Sequence, residues 1–467
     1  MLRRVASPRS RLVPALSLLV GLILVLDACG AAPPPAPAAQ ASPTTMTGLP
    51  IVPRQGLPAP TVTPPPGAGR PWPDTSAGIY VFNDQLALWG NPSWTHFAAT
   101  HYAGTQKMTR ADADALRAIN PNLLILHYRL GIGLGYRAPD GACQPTGEYL
   151  EIIDGDWVQE WPGDGAVQPQ WFFPYGGSPR VYNCDWGWYL MEVDNADWRT
   201  WWSGEVLDQL QANDDDGLFA DSVSVPNYLG GASWNPNLPD YDPAFEEPWA
   251  RRLERWMDFV RGQFAGQYVL IPNAGSWVTS RDTTDYSHAD GVMIEGFGYD
   301  AWTDFGEADW RLQMDRVLGL VQQGKIILAQ SYYNDSAAGR LFSLGSYLLI
   351  KGTRTFVTLE IALEPEWWPE YEIPLGAYAG DIPASMDDLY AGGVYRRTYA
   401  NGLVLVNPGG TAVTVDLGVT YYLAQPAGGG MVPEDGLIPS GWTVTYAPVS
   451  QVALDPGTAA VLLVSAP

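Results

Sequence analysis

The stretch Gly217-Leu218-Phe219-Ala220-Asp221 is a short, continuous apolar run that ends on a carboxylate. A run without polar alternation is typical of a parallel strand that is covered on both faces. The segment Gly291-Val292-Met293-Ile294-Glu295 repeats this arrangement further along the chain. Both stretches therefore predict buried parallel strands that present a carboxylate at their carboxyl ends.

Similar runs extend outward in both directions, and helical patterns separate them. The predicted strands are 78–82, 97–100, 123–126, 217–220, 268–271, 291–294, 326–329 and 355–359. The predicted helices are 110–119, 198–213, 249–264 and 308–323. Eight strands alternating with helices predict an α/β fold, a (β/α)8 TIM-type barrel over residues 73–390. A doubly wound sheet is the alternative, although no Gly-rich phosphate loop follows the first predicted strand.

The pattern changes in residues 391–467. Short apolar runs are separated there by Gly, Pro and Asn, and charged residues are few. Such spacing is typical of antiparallel strands joined by tight turns. We therefore expect a small C-terminal antiparallel β-sandwich domain that packs against the barrel and carries no chemistry of its own.

The N-terminal residues predict export. Residues 1–28 contain four Arg followed by an apolar run, Leu12–Leu26, which is short for a membrane span and typical of a signal peptide. The sequence that ends at Cys29 resembles a bacterial lipoprotein signal, which implies cleavage before this cysteine and its acylation. An uncleaved N-terminal anchor is the alternative. Residues 29–72 are rich in Pro and Ala and predict a flexible linker. The expected location is extracytoplasmic, with a lipid anchor in the bacterial cell membrane.

Charge limits the classes of partner. The chain has 26 Lys and Arg against 50 Asp and Glu, a formal net charge of −24. An acidic surface repels phosphate backbones, so nucleic acid is excluded as a partner. Charge also disfavours docking on anionic lipid, which leaves the N-terminal lipid anchor as the expected membrane contact. The sequence does not indicate an oligomeric state.

A long insert at 136–190 separates two of the predicted strands. It contains many aromatic residues and the pair Cys143 and Cys184. In an exported chain two cysteines most simply form one disulfide, with a zinc site as the weaker alternative. Aromatic faces suit the C–H faces of sugar rings, and Trp186 and Trp188 are candidates to bind a sugar. Alternatively, the same aromatic residues pack against one another in a small hydrophobic core beneath the insert.

Polar residues end most of the predicted strands, where a barrel carries its catalytic groups. The candidates for substrate binding at these ends are Asn83, Asp84, His101, His127, Asn273, Gln330 and Glu360. No His pair stands at metal-binding spacing and no nucleophile elbow or dinucleotide motif occurs. We therefore expect no metal and no cofactor.

Asp221 and Glu295 carry the candidate chemistry. Hydrolysis of a glycosidic bond needs one protonated carboxyl group and one carboxylate. Glu295 lies beside apolar residues, which favours a raised pKa and a role as the acid. Asp221 precedes Ser222 and Ser224, whose hydrogen bonds favour the ionised form. A helix cap or an ion pair with Arg is the structural alternative for either residue.

Four segments carry a resemblance to a known family: 219–222 (Phe-Ala-Asp-Ser), 271–273 (Ile-Pro-Asn), 294–297 (Ile-Glu-Gly-Phe) and 399–408. Together they resemble glycoside hydrolase-like family 15, within the α-galactosidase-type (β/α)8 glycosidase barrels. The resemblance implies a barrel, a trailing β-domain and a two-carboxylate site. Those barrels carry an Asp nucleophile after the fourth strand, which Asp221 matches. Their acid after the sixth strand is typically Asp, where this chain has Glu295.

The sequence therefore supports two functional hypotheses. The first is a glycoside hydrolase that cleaves an extracellular oligo- or polysaccharide through Asp221 and Glu295. The alternative is a non-catalytic carbohydrate-binding surface lipoprotein on a barrel scaffold. A barrel lyase or hydrolase of another kind would need a metal or phosphate site, and the sequence shows neither.

Overall fold

Helices and parallel strands alternate through the middle of the chain. The computed structural model describes residues 69–135, 167–228, 230–299, 305–332 and 336–467. All of these residues belong to one unit of the chain, Pro58–Pro467. The predicted signal peptide, nearly all of the predicted linker, Cys29 and Cys143 lie outside the described residues, so the expectations about them stay predictions.

The α/β region of the described residues extends to strand β11 and contains the following helices and strands. The helices are α1 Pro92–His101, α2 Arg110–Ile119, α3 Ala196–Asn213, α4 Pro243–Phe264, α5 Glu307–Gln322 and α6 Ala337–Ile350. The strands up to the end of the parallel region are β1 Gly104–Gln106, β2 Leu124–Leu130, β3 Gly133–Gly135, β4 Val181–Asn183, β5 Trp188–Leu190, β6 Gly217–Asp221, β7 Trp234–Asn235, β8 Val269–Pro272, β9 Gly291–Glu295, β10 Ile326–Gln330 and β11 Thr355–Thr358.

The strands of the α/β region pair in parallel. One sheet has the order β1-β2-β6-β8 and another has the order β11-β10-β9. Isolated parallel bridges join Asn273 to Met293, Val81 to Val357 and Phe82 to Gly104. The predicted α/β class is therefore confirmed for the described residues, and the bridges connect the edges of the two sheets.

One apolar cluster packs along one face of these strands. It takes every second residue from successive strands, as expected when side chains alternate between two faces. Its buried members are Phe82, Leu124, Leu126, Phe219, Ile271, Met293, Ile326, Leu328 and Phe356. Continuing the same alternation by two residues reaches Tyr128, Asp221, Asn273, Glu295 and Gln330. The alternation therefore brings a polar layer to the carboxyl ends of the strands.

The four predicted helices are confirmed, and their predicted first and last residues differ from the observed ones by six residues or fewer. Thr109 caps α2, since its hydroxyl accepts the backbone N–H of Asp112 at 3.1 Å. Helix α4 begins six residues before the predicted start, where Asp242 caps it and Pro243 occupies the first turn. Its residues Leu253, Trp256 and Val260 are buried at the predicted helical spacing.

The predicted strand 97–100 is wrong. These residues lie in α1, which Asn91 caps by accepting the backbone N–H groups of Ser93 and Trp94. The run is apolar because it forms the buried face of that helix, where Phe97, Ala98 and Ala99 are almost inaccessible. The true strand is β1, whose short Gly-Thr-Gln sequence has no apolar run to reveal it.

Strands β4 and β5, at the end of the aromatic insert, pair with β3 and β7, which lie outside it, in a small antiparallel sheet of order β3-β5-β4-β7. Most of the described aromatic residues of the insert are buried, as expected if they form a hydrophobic core within it: Trp171, Phe172, Phe173, Tyr182, Trp188 and Tyr189. Tyr175 is partly buried, and Trp186 has 74% of its surface exposed. Residues 136–166 lie outside the described residues.

The C-terminal residues form one continuous antiparallel sheet where the sequence predicts a sandwich. The strands of this sheet are β13 Tyr390–Ala391, β14 Val394–Tyr399, β15 Gly402–Asn407, β16 Val413–Ala427, β18 Thr443–Leu454 and β19 Thr458–Leu463. Two short strands, β12 Glu366–Trp367 and β17 Gly430–Met431, form a separate antiparallel pair. The order is β13-β14-β15-β19-β16-β18. An irregularity between Asp416 and Tyr421 divides the pairing of β16 with β18. Val415 and Val452 belong to the same apolar cluster as Leu403 and Leu405.

Helix α6 holds this sheet against the α/β region. A Cβ atom added to Gly345 would lie 2.7 Å from the Cβ of Ala459, so the helix approaches the sheet as closely as only glycine allows. Arg397 donates to the carbonyl of Lys351 at 2.7 Å, and the Tyr399 hydroxyl donates to that of Leu348 at 2.7 Å. In the part of the chain that the structure describes, no helix is long and apolar enough to cross a membrane.

Candidate active site

Asp221 lies at the carboxyl end of β6 and accepts three hydrogen bonds. Its Oδ1 accepts the backbone N–H of Ser222 at 2.7 Å and the side-chain amide of Asn273 at 2.9 Å. Its Oδ2 accepts the hydroxyl of Tyr128 at 2.8 Å. These donors fix the orientation of the carboxylate, which suits a group that attacks a sugar or activates water. The serine contributes through its backbone, where the sequence suggested its hydroxyl.

Glu295 lies at the carboxyl end of β9 and is half-buried. Its Oε2 accepts a hydrogen bond from the side-chain amide of Asn273, and its Oε1 accepts one from the hydroxyl of Tyr332. The same nitrogen of Asn273 thus contacts both Asp221 and Glu295. Two hydrogen bonds to one nitrogen hold these carboxyl oxygens within about 6 Å of each other. The structure therefore brings the two predicted carboxylates together, joined by a third predicted site residue.

The environment of Glu295 raises its pKa to about 7. Burial is the largest cause, followed by the negative charges of Asp221 and Asp84. The hydrogen bond from Tyr332 and the positive charge of Lys107 act in the opposite direction. A carboxyl group with a pKa near 7 still holds its proton over much of the neutral range, as a general acid requires.

A second cluster, formed by Asp84, Gln106 and Lys107, lies beside the two carboxylates. The side-chain amide of Gln106 donates to Oδ1 of Asp84, and the Lys107 ammonium lies 3.0 Å from its Oδ2. The ammonium is also 5.3 Å from the ring centre of Tyr128 and 5.5 Å from that of Phe219. Asp84, a predicted site residue, therefore lies close to the pair.

Three further predicted residues, Gln330, Asn83 and Glu360, form hydrogen bonds with other neighbours. Gln330 is the register partner of Glu295, and its buried amide donates to the carbonyl of Ser331 at 2.8 Å. Asn83 accepts the hydroxyl of Thr105 at 3.2 Å and belongs to the opposite face from Asp84. Glu360 accepts the backbone N–H of Ile361 at 2.8 Å.

His101 and His127 are not at strand ends, and both placements are corrected. His101 ends helix α1, where its ring stacks on Phe97 at 3.9 Å and its Nδ1 lies 2.9 Å from the carbonyl of that residue. His127 lies in the middle of β2 and faces Asp215, with its Nδ1 3.4 Å from the carboxylate. The strand runs on to Leu130, so the polar residue that reaches the site is Tyr128.

Sequence reasoning missed Tyr128, Lys107 and Tyr332. The alternation Leu124, Leu126, Tyr128 would have found the first, because residues two apart share a face of a strand. Lys107 follows a strand that no apolar run reveals. Tyr332 lies two residues beyond Gln330 in a loop, where no periodicity applies.

The two aromatic candidates differ in exposure. Trp186 is largely exposed, and its backbone N–H donates to Oδ1 of Asn183 at 2.8 Å. Trp188 is 7% exposed and packs edge-on against Trp234 with ring centres 5.0 Å apart. Trp186 therefore has the open ring face that sugar stacking needs, whereas Trp188 is part of the core.

Within the described ranges, no group of three or more His, Cys, Asp or Glu residues is arranged to hold a metal ion. The described acids of the site contact amide, hydroxyl and ammonium donors. These contacts suit acid–base or nucleophilic chemistry performed by side chains.

A family model described as hypothetical glycosyl hydrolase family 15 matches residues 117–403, more than half of the chain. The chain belongs to this family. The match includes both Asp221 and Glu295, and it confirms the resemblance found in the strand ends. No curated protein matches the chain.

Solved structures of glycoside hydrolases show distant likeness to this family member. The glycoside hydrolase domain of PelA from Pseudomonas aeruginosa is 16% identical, with a TM-score of 0.38, and the match covers 61% of this chain and 95% of that one. The noncanonic maltogenic alpha-amylase AmyB from Thermotoga neapolitana is 11% identical, with a TM-score of 0.38 and coverages of 82% and 96%. A GH31 family sulfoquinovosidase from E. rectale is 10% identical, with a TM-score of 0.39 and coverages of 85% and 63%. All three TM-scores lie below 0.5, too low to assign a shared fold.

Proposed function

We propose that this protein is a glycoside hydrolase in which Asp221 and Glu295 act on one glycosidic bond. The contact of Asn273 with both carboxylates carries the proposal, because it brings two acids from different strands within reach of one substrate bond. Family membership supports the same reaction class.

The environments of the two acids support different roles. Glu295, with its pKa raised to about 7, donates a proton to the leaving oxygen. Asp221, whose carboxylate is held in place by three donors, attacks the sugar. Because Asn273 links one oxygen of each acid, the two carboxyl groups are close, as in the roughly 5–5.5 Å separation of retaining glycosidases. The proposed reaction therefore retains the anomeric configuration.

The proposed scaffold is a closed eight-stranded barrel. The isolated bridges at Val81, Phe82 and Asn273 support closure, since they connect strand β11 to β1 and strand β8 to β9. The alternating apolar cluster supports it as well, because small barrels are filled by layers of inward-facing side chains. Asp221 and Glu295 would then occupy the carboxyl-end face, where barrel enzymes carry their active sites.

The proposed substrate is an extracellular oligo- or polysaccharide, met by a lipid-anchored enzyme outside the cytoplasm. The signal-like sequence before Cys29 supports this location. The exposed ring of Trp186 supports a sugar chain as the ligand.

A screen of aryl glycosides and of plant, fungal and bacterial polysaccharides with the purified chain tests this proposal. Release of the aryl group or of reducing ends from at least one substrate is the expected result. Binding of a glycan without turnover of any substrate would replace the enzyme with the carbohydrate-binding lipoprotein considered from the sequence.

Trp186 and Trp188 offer a matched pair of variants for the binding surface. We expect Trp186→Ala to weaken polysaccharide binding about threefold to tenfold, because one aromatic stack is worth about 0.5–1.5 kcal/mol. Its melting temperature should stay close to that of the wild type, since the side chain is exposed. Trp188→Ala should instead lower stability by about 3–5 kcal/mol through loss of its contact with Trp234.

Affinity electrophoresis measures polysaccharide binding, and thermal unfolding measures the stability of each variant. Equal polysaccharide affinity for Trp186→Ala and the wild type would remove Trp186 from the binding surface.

A further inference from the structure

A pocket of about 200 Å³ lies between the segment that follows β11 and the start of β18. Trp367 and Glu372 line it from the segment after β11, and Trp442, Thr443 and Tyr446 line it from β18 and the residue before that strand. None of the residues that line it belongs to the candidate active site. The pocket is therefore a separate feature of the molecule.

The wall on the β18 side is one face of that strand. Val444 and Tyr446 are two residues apart on β18, and Trp442 precedes them at the same spacing, so their side chains share a face. All three residues pack against the main hydrophobic core and remain partly exposed. The core therefore anchors the rings of Trp442 and Tyr446, which still offer surface to a ligand.

The opposite wall contains Trp367, which is 6% exposed. Its ring packs edge-on against His101 and Tyr371, with ring centres 5.0 and 5.1 Å apart. Its indole N–H is buried without a hydrogen-bond partner among the residues that the structure describes. A buried indole N–H usually has a partner, because leaving it unpaired costs free energy. Trp367 therefore contributes a fixed ring and an unpaired donor to the wall.

The segment after β11 leaves the α/β region at the carboxyl end of its parallel strands. The hydroxyl of Tyr371 accepts the backbone N–H of Leu359 at 2.9 Å, which brings this segment back to the end of β11. Asp221 and Glu295 are the last residues of the parallel strands β6 and β9. The pocket-lining segment therefore starts from the same end of the strands as the carboxylate pair.

The size and the charge of the pocket limit its ligand. A volume of about 200 Å³ is below the roughly 300–1,000 Å³ of pockets that enclose drug-sized ligands, so it fits a single ring. Among the lining residues, all of which the structure describes, Glu372 alone carries a charge, and it is exposed. A carboxylate accepts hydrogen bonds from hydroxyl groups and repels another carboxylate. These properties favour a neutral sugar over an acidic one.

We propose that this pocket is a second carbohydrate-binding site, which holds one neutral sugar ring of a polysaccharide whose other units reach the carboxylate pair. Trp442 and Tyr446 contact the C–H face of the ring, and Glu372 accepts hydrogen bonds from its hydroxyl groups. The unpaired N–H of Trp367 is a donor for a sugar oxygen. This inference rests on the proposed function, since it names where a polymeric substrate is held outside the catalytic centre.

Affinity electrophoresis in gels that contain galactomannan, xyloglucan, soluble starch or polygalacturonate tests the proposal. We expect at least one of the three neutral polysaccharides to retard the chain, and acidic polygalacturonate to leave its mobility unchanged. Trp442→Ala should weaken binding of that neutral polysaccharide about threefold to tenfold, the loss expected for one aromatic stack. Glu372→Ala should weaken it about threefold or more, because a sugar hydroxyl loses its acceptor. The same losses should occur in a chain that already carries Trp186→Ala.

Tyr390→Ala is the matched control, because Tyr390 is 50% exposed on β13, at the opposite edge of the same sheet from β18. It should bind as the wild type does. Glu372→Ala keeps the proposal testable if Trp442→Ala does not fold, since Glu372 is exposed. Unchanged affinity in a folded pocket variant, an equal loss in Tyr390→Ala, or binding of polygalacturonate alone or of no polysaccharide would overturn the proposal.

The binding measurement needs no turnover, so it separates this site from the proposed function. Retardation that depends on Trp442, without hydrolysis of any substrate in the screen, would overturn the glycosidase function and support the second site. Hydrolysis with unchanged affinity in both pocket variants would support the glycosidase and overturn the second site.

Discussion

Replacement of Asp221 by Asn should lower kcat/KM by a factor on the order of 10⁴–10⁶, the range seen when a hydrolase loses a nucleophile that works as part of a unit. Asn matches Asp in size and its single oxygen can still accept the hydrogen bond from Ser222, but its amide nitrogen cannot accept one from Tyr128 and it carries no negative charge. The loss should be equally severe for activated and unactivated substrates, because every substrate needs the attacking carboxylate. Initial rates on an aryl glycoside and an oligosaccharide measure it.

The control for this variant is Tyr128→Phe, which removes one hydrogen bond from Asp221 but leaves its charge. We expect this variant to retain far more activity than Asp221→Asn, with a melting temperature that shows a folded protein. If Asp221→Asn keeps a tenth or more of the wild-type rate while folded, Asp221 is not the nucleophile.

Replacement of Glu295 by Gln should have an effect that depends on the leaving group. Hydrolysis of a substrate with a poor leaving group should fall by roughly 10²–10⁴, the usual contribution of general acid catalysis. A substrate whose leaving group needs no proton should lose much less. Rates on a nitrophenyl glycoside and an alkyl glycoside of the same sugar, measured on both proteins, give the comparison.

The pH dependence of the same reaction follows from the pKa of Glu295. A general acid works only when protonated, so kcat/KM for the poor leaving group should decrease as the pH rises through about 7. In Glu295→Gln this alkaline limb should disappear, because the amide does not titrate in that range. Equal losses for both leaving groups, with the alkaline limb unchanged, would assign the limb and the proton to another residue.

Continuous apolar runs let the sequence predict Asp221, Asn273 and Glu295, because each follows a buried strand that is apolar on both faces. The same criterion failed at β1, where the buried side chains of Thr105 and Gln106 donate hydrogen bonds to Asn83 and Asp84. A strand built from polar residues carries no hydrophobic signal, so the sequence did not reveal Lys107, which follows it.

The failure at His127 has a different cause. The end of a strand cannot be located from hydrophobicity when polar residues continue it, and β2 continues to Leu130 through Tyr128 and Arg129. The first polar residue after the apolar run is His127, which lies on the opposite face of β2 from Tyr128 and contacts Asp215. Counting by two from Leu126 selects the inward face and reaches the tyrosine that contacts Asp221.

The C-terminal strands were predicted from turn residues and short apolar runs, and the antiparallel sheet is confirmed. Its arrangement as one continuous sheet could not be predicted, because the pairing of β16 with both β18 and β19 depends on contacts far apart in the sequence. Local patterns fix which residues are extended, whereas long-range packing decides which strands are neighbours.

The central claim is that Asp221 and Glu295 form one retaining pair, and trapping of the glycosyl–enzyme intermediate tests it most directly. A 2-deoxy-2-fluoro glycoside of the sugar identified in the screen, with an activated leaving group, should leave one glycosyl unit on the protein. Peptide mass spectrometry should find that unit on Asp221, and Asp221→Asn should acquire none. An adduct on another residue, or hydrolysis with inversion of the anomeric centre and no adduct, would contradict the claim.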